Sequence, residues 1–182
     1  MKAGEDRAPS FRLELPIDSS WSSIDLLHRR VTSGAEAVLS DLQLCQTIAM
    51  VASELVENVV KYSDWSRPDL ATVAISARAT PEGDVIDVEV TNPIDGMADF
   101  EAIRVTLDWI ASFPTPRDAY IARVRRLAEE DEAVHSQLGL VRVAYEGGCQ
   151  IEATLLPDRI LRVRATLPYG SARVRAHQTP TP

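Results

Sequence analysis

The stretch SDLQLCQTIAMVASELVENVVKYS, Ser40 to Ser63, decides how the rest of the chain is arranged. Ser40 followed by Gln43 predicts a capped helix start. Leu44, Ile48, Val51, Ala52, Leu55, Val56 and Val59 then recur at helical spacing and give one continuous apolar face. A helix of this length with a single apolar face needs a sheet or a helix layer to bury it. Away from that face, Glu54, Asn58 and Lys61 fall at i, i+4 and i+7, within a narrow arc at about 100° per residue. Tyr62 is offset toward the apolar side, and Glu57 borders the stripe.

Two readings of the stripe stay open from spacing alone. In one it is a solvated face, with Glu54–Asn58 and Glu57–Lys61 as surface pairs worth about a few tenths of a kcal/mol. In the other it is a site. Asn58 weighs toward the second, because asparagine competes with the helix backbone and prefers caps and turns.

Working outward, Phe11, Leu13, Leu15 and Ile17 alternate with polar residues as in a half-buried strand, and Pro16 favours a sheet edge. Ser22 with Asp25 predicts a second capped helix, with Leu26, Leu27, Val31, Ala35 and Val38 on its apolar side. Downstream, Val73–Ala77 and Ile86–Val90 alternate around Pro81-Glu82-Gly83-Asp84, which predicts a hairpin. A helix is expected after Asp99 through Phe100, Ile103, Leu107 and Ile110. Another is expected from the Thr115 cap and Pro116 toward Glu132, and a short one over Ser136–Glu146, with Gly147 and Gly148 as left-handed terminators. Two strands, Ile151–Leu156 and Ile160–Leu167, flank a Pro157-Asp158 turn. These elements predict an α/β fold, a two-layer sandwich with helices on one face of a mixed, mostly antiparallel sheet. One domain over residues 11–168 is expected, with disordered tails at 1–10 and 169–182.

The 182 residues are 45% hydrophobic, enough for one substantial core. Lys and Arg number 19 against 27 Asp and Glu, a formal charge of −8, so nucleic acid and anionic membrane are excluded as bulk partners by net repulsion. No basic and apolar leader opens the chain, and a cytoplasmic location is expected. Cys45 and Cys149 have no paired spacing and read as buried thiols. His28, His135 and His177 lack metal-ligand spacing. Trp21, Trp65 and Trp109 read as packing anchors.

The run Ala52-Ser53-Glu54-Leu55-Val56-Glu57-Asn58-Val59-Val60-Lys61-Tyr62-Ser63 resembles the N-box of the histidine-kinase-like ATPases, the GHKL or Bergerat superfamily. The similarity extends over roughly Ser10 to Pro168. It looks closest to the small anti-sigma factors and serine/threonine kinases of bacterial partner switching. The resemblance implies a Bergerat-type sandwich that binds ATP with Mg²⁺. In it Asn58 would ligate the metal, Glu54 would accept a proton from the attacking hydroxyl, Lys61 would neutralise phosphate charge and Tyr62 would pack near the base or ribose.

Thr91-Asn92-Pro93-Ile94-Asp95-Gly96-Met97 matches the family's Asp-x-Gly-x-Gly segment, with Asn92 at the Asp position, Ile94 at the first Gly and Gly96 at the second. An amide oxygen at Asn92 would accept the adenine amino hydrogen bond; from the residues alone the segment reads equally as a strand ending in an ordinary Asn-Pro turn. Leu138-Gly139-Leu140 is similar to the end of the phosphate lid, placing Leu138, Gly139 and Leu140 at the nucleotide. Between these motifs the resemblance puts a mobile lid. There Arg117, Arg123, Arg125 and Arg126 would reach phosphates, whereas their pattern alone reads as a solvated face. The implied function is an ATP-binding regulator that phosphorylates Ser or Thr on a protein partner such as a STAS-domain antagonist, or that acts on a sigma factor. A homodimer is plausible for such regulators. The alternative is a degenerate module of the same fold that regulates by protein binding alone.

Overall fold

The computed structural model describes residues 12–129 and 138–169. The expected tails, and the parts of predicted helices reaching Glu132 and starting at Ser136, lie outside the described residues.

The elements follow the order β1 (Arg12–Pro16), α1 (Ser22–Glu36), α2 (Leu42–Tyr62), β2 (Thr72–Thr80), β3 (Gly83–Pro93), α3 (Met97–Ala111), α4 (Pro116–Glu129), α5 (Gly139–Tyr145), β4 (Gln150–Leu156) and β5 (Ile160–Tyr169). The five strands form one sheet in the order β1-β2-β3-β5-β4. Every pairing in it is antiparallel, so the sheet is not mixed. β5 runs through Tyr169, one residue into the stretch expected to be a tail.

Alternation in the strands divides the sheet into two unlike faces. Val73, Ile75 and Ala77 of β2, Ile86, Val88 and Val90 of β3, and Leu161, Val163, Ala165 and Leu167 of β5 are buried. They join the core with Leu44, Ile48, Val51, Leu55, Val56 and Val59 of α2 and with Leu27 and Val31 of α1. This is the expected two-layer α/β sandwich. Emptying a site such as Ile48, which is wholly buried, is worth about 2–5 kcal/mol. The opposite face carries charge pairs across strands. Arg164 donates to Glu89, its register partner, at 2.7 and 2.9 Å. Asp87 is bonded by Arg78 at 2.5 Å and by Thr166 at 2.6 Å.

Helix starts differ from expectation by small steps. Asp41, not Ser40, caps α2, its carboxylate accepting from the Leu44 N–H at 3.0 Å. A carboxylate one residue nearer the first free N–H groups does the same work as the serine. Ser22 is already helical, with Trp21 in the cap position. α3 begins at Met97, two residues before Asp99. The Thr115 cap is as predicted: its Oγ1 accepts from the Asp118 N–H at 3.2 Å and donates to the Asp118 carboxylate at 2.7 Å. Of the two glycines that end α5, Gly148 is left-handed, at φ +61°, and Gly147 is not. Gly147 is there for space instead, since a Cβ would come within 2.4 Å of the Val143 carbonyl oxygen. No described helix is long and apolar enough to cross a membrane.

Candidate functional site

Leu55, Asn58, Val59 and Tyr62 share one face of α2 and form a wall of a cavity of about 270 Å³. Its floor is the sheet. Asn92 pairs with Leu161 and Val90 with Val163 between β3 and β5, and all four reach the cavity because the register puts them on the helix-facing side. α3 closes the opposite wall with Asp99, Ala102, Ile103 and Thr106. Gly139 and Leu140 of α5 and Arg123 of α4 complete it. The lining is mainly apolar, with two amides, a hydroxyl, one carboxylate and one guanidinium in addition to the Tyr62 phenol, a composition typical of small-molecule sites.

Asn92 is 3% exposed, and its Nδ2 donates to the Pro93 carbonyl oxygen at 3.2 Å. With Nδ2 used in that bond, Oδ1 is the acceptor end of this amide. Gly139 is a point of close approach between α5 and α2. A Cβ there would stand 3.0 Å from Glu54 Oε2 and 3.8 Å from Asn58 Nδ2, so the missing side chain is what admits both polar groups under the start of α5. Arg123 stacks over Trp109 at 5.6 Å to the ring centroid, whereas Arg117, Arg125 and Arg126 are exposed. The solvated-face reading therefore describes three of the four arginines.

Several sequence-selected residues are not in the lining. The polar stripe of α2 is divided between its neighbours. Lys61 turns toward α1, where its Nζ lies 3.2 Å from Glu57 Oε2 and 5.3 Å above the Trp21 ring. Glu54 turns toward α5 and takes a hydrogen bond from Arg142 Nη1. Helical spacing places the three residues on one arc, but the two charged side chains each turn to an opposite charge and leave Asn58 at the cavity. Ile94 is wholly buried in the core, with its N–H bonded to the Arg159 carbonyl at 3.0 Å, so the segment after β3 is no open glycine loop. Gly96 caps α3 in extended backbone, φ −147°, where any residue fits. Leu138 precedes α5 in its cap position and does not reach the cavity.

Asp99, read from sequence only as a helix start, and Thr106, given no role there, also line the cavity. They sit at i and i+7, with Ala102 and Ile103 between, and this spacing is the signal that marks a second α3 face beside the Phe100–Leu107 one.

Burial pushes the Glu54 carboxyl above its ordinary range; the Arg142 charge opposes this. The opposition falls short because burial is the larger effect and the like charges of Glu57 and Glu146 add to it. Among the described residues no group of three or more His, Cys, Asp or Glu gathers as a metal site. No protein-family model and no curated protein matches the chain.

Proposed function

We propose that the chain is an ATP-binding regulatory protein that acts on a small protein partner, a STAS-domain antagonist or a sigma factor, with phosphorylation of a serine or threonine as its reaction. One observation carries this reading: Asn58 and Tyr62, Asn92, and Gly139 and Leu140, far apart in sequence, line a single cavity.

The residues present fit a nucleotide with its cation. Asn92 Oδ1 would accept from the ring amino group, and the Leu55, Val59 and Leu140 side chains would pack against the base beside Tyr62. Asn58 would offer a neutral oxygen to Mg²⁺, a hard cation that prefers oxygen ligands. Arg123 is the cationic residue of the lining and would meet phosphate charge. When bound, Mg²⁺ supplies neutralisation of the phosphate oxygens.

Thermal unfolding with millimolar Mg²⁺–ATP tests the reading. Ligand at about 100 times its Kd adds about 2.7 kcal/mol, which raises Tm by about 5–10 °C for a chain of this size. Asn58→Ala is expected to abolish the rise. An unchanged wild-type Tm would remove the nucleotide from the account.

A second reading, a binding-only module, is favoured by the Glu54–Arg142 pair and by buried Ile94. Under it no phosphate reaches a partner, whether or not Mg²⁺–ATP raises Tm.

A further inference from the structure

α5 is fastened to α2 by an arginine with two acceptors. Arg142 Nη1 donates to Glu54 Oε1, while its Nε and Nη2 donate to Glu146 Oε2 at 3.2 and 3.1 Å. The two carboxylates differ in setting. The Glu54 side chain is 14% exposed and lies one turn from Asn58, whereas that of Glu146 is 37% exposed and belongs to the residue that caps the end of α5. Gly139, a turn before Arg142, lets the helix close on Glu54 without a side chain between them.

We infer that Arg142 is a brake on Glu54: the guanidinium holds this carboxylate against α5, out of reach of a cavity ligand, and releases it by passing wholly to Glu146. Charge-assisted pairing of this kind occupies the oxygen lone pairs that would accept a proton. Withdrawing a guanidinium from a half-buried carboxylate is costly when it leaves either charge unpaired. Here Glu146 removes the arginine's half of that cost. The released Glu54 would take the proton of a water or hydroxyl whose oxygen bonds to the terminal phosphorus of ATP. The bond from that phosphorus to the bridging oxygen breaks, and ADP leaves with the electron pair. Arg142 touches neither reactant and acts through Glu54, so it is a positioning residue. The inference rests on the nucleotide reading above.

The test uses the full chain as wild type, Arg142→Met, Arg142→Lys and the double variant Arg142→Met/Glu54→Gln. Three quantities are measured: Mg²⁺–ADP affinity by calorimetry, single-turnover hydrolysis of Mg²⁺–ATP, and amide hydrogen exchange of α5 without nucleotide. Arg142→Met is expected to bind ADP within about threefold of wild type and to hydrolyse ATP about a hundredfold faster, the lower end of what a positioned base contributes. Its α5 amides exchange several-fold faster. Arg142→Lys keeps the slow rate, and the double variant loses the gain. A merely structural pair predicts loss of activity, never gain. ADP binding without faster hydrolysis in Arg142→Met overturns the brake and leaves the nucleotide reading standing. Absence of ADP binding in wild type and Arg142→Met alike overturns both.

Discussion

Gly139 of α5 lies over Glu54 of α2 so closely that a Cβ added to the glycine would sit 3.0 Å from Glu54 Oε2. Two opposing effects meet at this contact. Alanine in a helix is favoured over glycine by about 0.8–1 kcal/mol, while the new methyl must push aside a carboxylate anchored by Arg142. Gly139→Ala is therefore expected to change stability by less than about 1 kcal/mol in urea unfolding. Gly139→Val, β-branched and larger, is expected to cost about 1–3 kcal/mol. Equal losses for both would mean that Glu54 has no room to yield.

Lys61 and Arg123, both set toward phosphate by the resemblance, part company in the fold. Lys61 is held by Glu57 and Trp21 on the far flank of α2, and Arg123 lines the cavity. Lys61→Met is expected to leave Mg²⁺–ADP affinity within about twofold, and Arg123→Met to weaken it about tenfold, the value of one charge-assisted contact. Titration calorimetry decides; a large effect at Lys61 alone would reverse the assignment.

Asp87 makes the open face of the sheet acid-sensitive. Burial works against its charge, but the hydrogen bonds from Arg78 and Thr166 outweigh it and hold the carboxyl below its ordinary range. A depressed carboxyl contributes stability that is complete above its unfolded value, about 3.9, and is lost as pH falls through the lower folded value. Asp87→Asn is expected to cost about 1–3 kcal/mol near neutral pH. The gap from wild type should close below about pH 4 in denaturant titrations. A gap that persists in acid would assign the loss to packing instead of charge.

The β4–β5 turn places Asp158 at φ 59° and Arg159 at φ 56°, both left-handed without being glycine. Such residues cost about 1 kcal/mol or more each. The turn is held by Arg67 Nη1 bonding the Asp158 carbonyl at 2.8 Å and by Arg159 Nη1 bonding the Asp95 carbonyl at 2.5 Å. Arg159→Gly relieves one strained position and removes one bond, so Tm is expected to move by less than about 3 °C. The Asp95–Met97 amides, at the entrance to α3, should exchange faster. Protection unchanged there would show that the arginine does not hold the loop.

The apolar periodicity of α2 and the alternation in β2, β3 and β5 were enough to fix the two-layer sandwich, because burial of one face per element is a local pattern with one global solution. The same helical spacing brought out Asn58, and the resemblance to the family's glycine motifs brought out Asn92 and Gly139. Neither Arg142, 88 positions from Glu54, nor Asp99 and Thr106 on the flank of α3 could be assigned from sequence. Helical spacing states which residues share an arc; it does not state which neighbour each side chain meets. Glu54 and Lys61 belong to one stripe on the wheel and to two different contacts in the folded chain. Long side chains settle on whatever opposite charge the packing brings within hydrogen-bond reach, and that is decided only when α1 and α5 close on α2.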